Sequence, residues 1–251
     1  MNKLILATGS NLNYLDKISI YLLSILEHSN FDANYLMFLG DHNVPLQSKK
    51  IKALKINLSD IECLNSVFCL QHGEFLKSKE LMNETNDKDI IFFTDGDMTL
   101  QRPMSKDEIF KFRNFNDNDV YVGYNQSPSD TLYKESLRLR IKTHSKRYLK
   151  ADIKNIKVYN TGVLAMNKKT WLKLMEEYII NFPEIDKTFH HYAKQQWLIS
   201  YIIGTQDYNI IEMDYEIHNH THYPSPKGTK IDENGVVYHN DKKVLFKHKW
   251  E

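Results

Sequence analysis

Two aspartates one residue apart, Asp95 and Asp97, are the side chains in this sequence best placed to bind a metal ion. They follow the apolar run IIFFT at 90–94, which predicts a buried β-strand. Residues i and i+2 of an extended segment point the same way, so both carboxylates can converge on one cation. Carboxylate oxygens suit Mg²⁺ or Mn²⁺, which also hold substrate phosphates. The alternative is a polar strand end turning at an Asp-Gly pair, and the motif alone leaves both open.

The chain contains three such acidic pairs, so their positions must distinguish them. A chain of this length is expected to carry roughly one D-x-D by chance. Asp87 and Asp89 precede the predicted strand, whereas Asp117 and Asp119 lie in the polar stretch RNFNDNDV. Only the pair after residue 94 closes the carboxyl end of a buried strand, which is the edge where open α/β sheets bind ligands.

Composition indicates an ordinary globular protein. The chain has 251 residues, 41% of them apolar, and a net charge of +1, so no overall field favours nucleic acid or an anionic membrane. Cys63 and Cys69 are too few for a disulfide framework and indicate a reducing compartment. The apolar start has no cleavage signature, and no segment approaches 18 uninterrupted apolar residues. We therefore expect a cytoplasmic protein without a transmembrane segment or a nucleic-acid partner.

Apolar periodicity predicts an α/β fold. Strands are predicted at 4–8, 34–39, 52–58, 89–94, 119–124 and 157–167, and helices at 14–28, 73–84, 130–150, 169–180 and 188–203. Strands that alternate with helices indicate a parallel or mixed Rossmann-like sheet covered on both faces. We expect one domain over 1–251, with a nucleotide-binding half at about 1–100. The second half, at about 101–251, is an irregular, substrate-type half that ends in a C-terminal hairpin at Asn234-Gly235.

Two strand-associated segments could contact a ligand. ATGSNLNY predicts a polar turn over Ala7–Ser10 before the first helix, where an anion or a base can bind. Tyr14 could stack on that base or pack on the core as an aromatic residue at the helix start. In YNTGVLAMNK, Asn160 stands beside Gly162 inside an apolar strand, which indicates either close approach to a ligand or a bulge.

Three segments nearer the C-terminus carry further candidates. Gln195 and Gln196 begin an apolar helix, where amides can orient a sugar or face solvent. His248, in FKHKWE, could complete a metal shell beside lysines that neutralise phosphate, or could belong to an exposed polar end. In HNHTHYPSPKG, alternating histidines would share one face of a strand, but we expect no dedicated zinc site there.

Taken in order, these segments resemble a GT-A-fold glycosyltransferase of family 8, the group of glycogenin and the bacterial lipooligosaccharide galactosyltransferases. The resemblance spans nearly the whole chain, and its most specific parts are the strand ending in DGD and YNTGVLAMN. Lys77 in FLKSKELM is the best match to a basic residue that precedes the metal motif in the family. QQWL and VLFKHKW resemble the family's later motifs.

The resemblance implies a metal-dependent, retaining glycosyltransferase that moves a hexose from UDP-glucose or UDP-galactose to a glycan, lipid or protein acceptor. It implies Mn²⁺ or Mg²⁺ bound by Asp95, Asp97 and His248, with Gln196 and Asp97 as catalytic residues. The residues that it implies for donor binding are Ala7, Thr8, Gly9, Tyr14, Lys77, Asp95, Gly96, Asn160 and Lys249. The sequence offers no convincing nucleophile, so front-face attack by the acceptor hydroxyl is expected.

Three positions depart from the family pattern. Gly9 replaces an aspartate expected at the uracil, and Gln195 replaces an acid expected at the sugar. The final motif is truncated, so His220 or His222 are alternatives to His248 in the metal shell. These departures keep open a non-catalytic nucleotide-sugar or carbohydrate-binding protein of the same fold. A sugar nucleotidyltransferase is less favoured, because ATGSNLNY lacks a glycine-rich phosphate loop with Arg and Lys.

Overall fold

A seven-stranded mixed sheet forms the centre of the structure, a computed structural model that describes residues 1–39, 48–56, 81–123, 131–138, 153–188, 194–220 and 226–248. Its strands are β1 (Leu4–Asn11), β2 (Ala33–Leu39), β3 (Lys52–Ile56), β4 (Ile90–Thr94), β6 (Asp119–Gly123), β7 (Asn160–Asn167) and β8 (Asn209–Glu212). Their order is β3-β2-β1-β4-β7-β6-β8. Strand β7 is antiparallel to β4 and β6, and the other neighbouring strands are parallel. The sheet is therefore mixed, as predicted.

Helices cover both faces of this sheet. They are α1 (Leu15–His28), α2 (Lys106–Arg113), α3 (Leu132–Arg138), α4 (Lys168–Thr188) and α5 (Lys194–Thr205). One core cluster packs α4 and α5 against the sheet, and a second packs α1 and α2 against its other face. Among the described helices, none has the length and hydrophobicity needed to cross a bilayer.

Strand β4 is buried on both faces, which explains its continuous apolar sequence. Ile91 and Phe93 point into the cluster with α4 and α5, where Phe93 stacks on Trp171 with ring centroids 3.9 Å apart. Ile90 and Phe92 point into the opposite cluster, where Phe92 packs edge-on against aromatic neighbours. The strand that leads to the acidic pair is thus held by side chains on both of its faces.

Six short strands of the described part of the chain lie outside the central sheet. Strands β5 (Met98–Leu100), β13 (Phe246–His248) and β9 (His218–His220) form one three-stranded sheet, with β13 in the middle. Strands β10 (Thr229–Ile231), β11 (Val237–His239) and β12 (Lys242–Lys243) form the other. The hairpin predicted at Asn234-Gly235 joins β10 to β11, and Gly235 has a φ of 73°. The chain continues beyond this hairpin to β13, which pairs with β5 rather than with the hairpin strands.

Several predicted boundaries were wrong. Strand β1 runs to Asn11, because parallel pairing with β2 continues to Leu39, so the segment predicted as a turn over Ala7–Ser10 is strand. Helix α4 continues past residue 180 and through Pro183, since Phe182 and Ile185 still bury their side chains in the core. Strand β7 begins at residue 160 rather than 157. The predicted helix at 73–84 lies mostly outside the described residues, of which 81–83 are helical.

An ion pair fastens the segment after β5 to α2 and to the C-terminal strands. The Arg102 guanidinium donates to both carboxylate oxygens of Glu108, at 2.7 and 2.6 Å. It also donates to the carbonyl of Lys243 at 2.6 Å. Glu108 forms a capping box with Ser105 at the start of α2. Burial acts to raise the pKa of Glu108, but Arg102 and Ser105 outweigh it and lower that pKa.

We expect Glu108→Gln to lower the free energy of unfolding by about 1–2 kcal/mol at pH 7, because a charge-assisted bidentate contact is lost. A lowered pKa in the folded state stabilises the protein above the ordinary value of 4.5, and this gain disappears as the pH falls through the folded-state pKa. Urea denaturation of both proteins from pH 7 to pH 3 should therefore show converging stabilities at low pH.

Asp107→Asn is the matched control, since Asp107 is an exposed carboxylate of the same helix turn. It should change stability by less than about 0.5 kcal/mol. A difference between the wild type and Glu108→Gln that stayed constant with pH would contradict the assigned role of the carboxylate charge.

Candidate metal centre

Asp95, Asp97 and His248 meet at the carboxyl end of β4. One potential ligand atom from each lies within 4.8 Å of the other two. His248 Nε2 is 3.3 Å from Asp97 Oδ1 and 3.8 Å from Asp95 Oδ2. The histidine is 2% exposed, whereas the side chains of Asp95 and Asp97 are 29% and 20% exposed. The cluster therefore has a buried imidazole on one side and solvent access along its carboxylates.

The backbone around β4 positions the two carboxylates. The Asp95 amide donates to the Gly162 carbonyl at 2.8 Å, which extends the pairing of β4 with β7 by one residue. A Cβ on Gly96 would lie 2.7 Å from the carbonyl oxygen of Gly9, so the chain can turn against β1 only with glycine there. Asp97 then leads directly into β5. The Asp-Gly-Asp turn is thus fixed by neighbours on both sides.

Strand pairing brings His248 to this turn from the far end of the sequence. In the antiparallel pair of β13 and β5, His248 is opposite Met98, the residue after Asp97. Its ring lies against Gly162, where an added Cβ would come within 2.6 Å of His248 Cε1. The glycine in YNTGVLAMN therefore makes room for this histidine. The register between β6 and β7 shifts between Val122 and Gly123, so the pairing is irregular here, as a bulge would make it.

A second histidine, His218, contacts the other ring nitrogen of His248. His218 Nε2 is 3.2 Å from His248 Nδ1, and His218 is 2% exposed. A Cβ on Gly123 would lie 2.8 Å from His218 Nδ1, so glycine is needed there as well. The alternation of histidines is visible in the sequence, but nothing in the sequence connects His218 with the acidic pair. Only the pairing of β9 with β13 reveals that connection.

The donor set fits a hard divalent cation. Ligand bonds of about 2.1 Å at right angles place neighbouring ligand atoms roughly 3 Å apart, close to the observed separations of His248 Nε2 from the carboxylates. Carboxylates suit Mg²⁺ and Mn²⁺, and the added imidazole favours Mn²⁺ over Mg²⁺. Within the described part of the chain, this is the group of three acidic or histidine side chains close enough to share one ion.

Burial and neighbouring charges shift the pKa values of the two aspartates in opposite directions. Burial and the neighbouring Asp97 raise the pKa of Asp95 to about 7, while His248 acts in the opposite direction. Burial would also raise the pKa of Asp97, but contact with His248 and the charge of Lys17 outweigh it and lower that pKa. A bound cation would offset the repulsion between the carboxylates, which supports the fit.

Lys17 is a residue of this region that the sequence reasoning missed. It lies in the first turn of α1, and its Nζ is 5.7 Å from the centre of the Tyr14 ring. Its charge also reaches Asp97. Tyr14 itself is 40% exposed at the end of a short 3₁₀ turn (Leu12–Tyr14). Lys17 and the exposed ring of Tyr14 thus lie together at the start of α1. A lysine in the first turn of the helix that follows β1 was the available signal.

The predicted donor-binding residues of β1 lie inside the sheet. Ala7 is fully buried, and Thr8, 1% exposed, donates its hydroxyl to the Thr94 carbonyl at 3.0 Å. Thr94 Oγ1 is in turn 2.7 Å from the Tyr21 hydroxyl. Through these contacts the side chains of Thr8, Thr94 and Tyr21 join β1, β4 and α1. Of the predicted β1 residues, Gly9 lies beside the turn of the acidic pair.

Hydrogen bonds join Asn160 to Gly162 and join the helix that carries Gln196 to the start of β7. Asn160 Oδ1 accepts from the Gly162 amide at 2.8 Å. Ser200 Oγ donates to the Gln196 carbonyl at 2.7 Å and accepts from the Tyr159 amide at 3.0 Å. The first turn of α5 is therefore joined to the start of β7, one residue before Asn160. Gln196 is half-buried and Gln195 is buried.

The remaining predicted residues lie outside what the structure describes. These are Lys77, Lys249 and His222, together with Cys63 and Cys69. His220 is on β9, but its side chain is likewise not among those described. Among the side chains that the structure describes, His248 is the histidine that lies close to both aspartates.

The central sheet and its covering helices form the GT-A glycosyltransferase fold, which confirms the predicted fold class. The solved structures that match include an active-site glutamine-to-glutamate mutant of LgtC, with a TM-score of 0.58 and 12% identity. The galactosyltransferase LgtC in complex with donor and acceptor sugar analogues matches with a TM-score of 0.55 and 12% identity. Both alignments cover 98% of this chain and 87% of the other.

Apo mouse xyloside xylosyltransferase 1 also matches, with a TM-score of 0.50 and 13% identity over 88% of this chain and 87% of that one. No protein-family model and no curated protein matches the sequence. At these identities the likeness shows the fold, and the resemblance to family 8 stays a prediction.

We expect Gly162→Ala to weaken Mn²⁺ binding at least about tenfold, since the new Cβ would displace the His248 ring. Mn²⁺ titration followed by electron paramagnetic resonance of the free ion measures this. Gly204→Ala is the control, because its Cβ would meet Ile156 at 2.4 Å rather than His248. Both variants should lose stability, but only Gly162→Ala should lose affinity for Mn²⁺. Equal Mn²⁺ affinity in Gly162→Ala and wild type would contradict the packing argument.

Proposed function

We propose that this protein is a metal-dependent glycosyltransferase that uses a UDP-sugar as donor. The observation that carries the proposal is the convergence of Asp95, Asp97 and His248 at the carboxyl edge of a GT-A-fold sheet. This edge is where open α/β sheets bind their ligands. The ligand set fits Mn²⁺, with Mg²⁺ as the alternative. Sugar transfer from a nucleoside diphosphate sugar needs positive charge at this position, because the diphosphate becomes more negative as its bond to the sugar breaks.

The activities of the matching solved structures support the reaction class. LgtC is described as a galactosyltransferase bound to donor and acceptor sugar analogues, and the mouse protein as a xylosyltransferase. Those activities belong to those proteins, and the two transfer different sugars. For this chain we propose a hexose, from UDP-glucose or UDP-galactose, on the basis of the sequence resemblance. The acceptor would be the hydroxyl group of a glycan, lipid or protein.

The metal ligands, Lys17 and Tyr14 would each bind a different part of the donor. A cation held by the two aspartates and His248 would act as a Lewis acid that stabilises the departing diphosphate. Lys17 would face the remaining phosphate charge, since its own charge already reaches Asp97. Tyr14 would present its exposed ring to the uracil. The first half of the chain would thus hold the nucleotide, and the second half the sugar and the acceptor.

We propose that the reaction retains the anomeric configuration by front-face attack. The resemblance implies retention, and the sequence provides no carboxylate nucleophile at the expected position. In our proposal the acceptor hydroxyl attacks from the side of the leaving phosphate, which takes its proton. Gln196 would orient the sugar ring from the first turn of α5, a turn joined to β7 through Ser200. An active-site glutamine in LgtC supports this assignment.

The experiment that tests the proposal is UDP release from a panel of UDP-sugars, with and without Mn²⁺. We expect Mn²⁺-stimulated release from UDP-glucose or UDP-galactose, and a loss of at least about 100-fold in Asp97→Asn, since a metal ligand and its charge are removed. Asp87→Asn is the matched control from another acidic pair. Its carboxylate is 78% exposed, and the change should leave the rate unaltered.

Two outcomes would overturn the proposal. Full activity of Asp97→Asn in Mn²⁺ would show that the metal assignment is wrong. UDP-sugar binding without Mn²⁺-stimulated transfer or hydrolysis would instead favour a non-catalytic nucleotide-sugar-binding protein of the same fold.

The Lys17 assignment makes a separate prediction. We expect Lys17→Gln to raise the KM for the UDP-sugar about tenfold or more, because a charge-assisted contact to phosphate is lost. Steady-state kinetics with varied donor measures this effect. Lys106→Gln removes an exposed lysine from the first turn of α2 and should leave the KM unchanged. A KM within twofold of wild type in Lys17→Gln would exclude the lysine from phosphate binding.

A further inference from the structure

We propose that His218 is a positioning residue for the metal centre: it accepts a hydrogen bond from His248 Nδ1 and so holds His248 Nε2 toward the ion. This inference rests on the proposed metal-dependent function and assigns a role to a residue outside the ligand set. The contact that carries it is the 3.2 Å separation between His218 Nε2 and His248 Nδ1. Both imidazoles are 2% exposed, so the contact lies inside the protein.

The direction of the hydrogen bond follows from metal binding. A neutral imidazole carries one proton on its two nitrogens, and the nitrogen that binds a metal must present a lone pair. His248 Nε2 faces Asp95 and Asp97, so the proton belongs on Nδ1. His218 Nε2 is then the acceptor, and its own proton is on Nδ1. Acceptors behind metal-binding histidines fix the tautomer and the ring orientation in this way.

The fold determines the position of both rings together. Strands β9 and β13 are parallel neighbours, with His218 opposite Phe246 and His248 opposite His220. Two glycines leave room for the pair: Gly123 lies against the His218 ring and Gly162 against the His248 ring. A side chain at either glycine would come within 3 Å of an imidazole atom. The two imidazoles are therefore packed in one orientation, which makes a fixed hydrogen bond possible.

The alternative is that His218 only fills space in the core. A purely structural residue would affect the stability of the fold, and its loss would leave metal affinity unchanged once the protein is folded. A positioning residue would affect the affinity for the metal itself, and a side chain that keeps an acceptor at the same place would restore it. The two roles therefore differ in a binding measurement that does not depend on enzyme activity.

The experiment measures the Kd for Mn²⁺ by electron paramagnetic resonance in wild type, His218→Leu and His218→Gln. We expect His218→Leu to raise the Kd about 10–100-fold, because the acceptor is lost. The Gln side chain places an amide oxygen near the position of Nε2, so His218→Gln should stay within about fivefold of wild type. Thermal unfolding of each variant shows whether it is folded at the titration temperature.

His239→Leu is the matched control. His239 is another buried histidine of the C-terminal strands, and its Nδ1 is 3.1 Å from the Thr229 hydroxyl. Its replacement should lower stability without changing the Kd for Mn²⁺. If His218→Leu bound Mn²⁺ as tightly as wild type, or if the leucine and glutamine variants lost affinity equally, the positioning role would be wrong.

A measurement on the wild type covers the case in which the variants fail to fold. Long-range ¹H–¹⁵N spectra of histidine-labelled protein with Mg²⁺ should show His248 protonated on Nδ1 and unprotonated on Nε2. The opposite tautomer would overturn the inference. Failure of the wild type to bind any divalent cation would instead reject the metal-dependent function, so the two failures are distinguishable.

Discussion

Repulsion between two carboxylates is the constraint on which this site depends. Asp95 and Asp97 lie at the end of a buried strand, where the pKa of Asp95 is raised to about 7 by burial and by its neighbour. A buried imidazole nitrogen lies 3.3–3.8 Å from the two carboxylates, and the charge of Lys17 lowers the pKa of Asp97. An arrangement that concentrates negative charge beside a histidine nitrogen suits a divalent cation better than it suits a structural turn.

Close backbone packing makes that arrangement possible. Gly96 turns against the carbonyl of Gly9, Gly162 accommodates the ring of His248, and Gly123 accommodates the ring of His218. A Cβ on Gly96, Gly162 or Gly123 would come within 3 Å of a neighbouring atom. These glycines act through the space that they leave rather than through contact with a ligand. They set the distances between groups that come from the turn after β4 and from strands β9 and β13.

The C-terminal strands supply His248 to the centre, and side chains connect these strands to the segment after β5. Gln101 is 5% exposed, donates to the carbonyls of Val237 and Val244, and accepts from the Val237 amide. Arg102 adds contacts to Glu108 and to the carbonyl of Lys243. Both residues directly follow β5, the strand opposite β13. The segment that bears the aspartates and the segment that bears His248 are therefore joined by side chains as well as by strand pairing.

Local patterns in the sequence determined most of the elements and the acidic pair. The run at 90–94 predicts a strand buried on both faces. The position of Asp95 and Asp97 at the end of that strand distinguishes them from the other two acidic pairs. Periodicity could not show that β1 continues through Gly9, because that depends on pairing with β2. Nor could it place His218 behind His248 or show that the charge of Lys17 acts on Asp97, since these residues are far apart in the chain. The sequence by itself determined which groups could bind a metal, and the tertiary structure decided which of them meet, because strand register sets those distances.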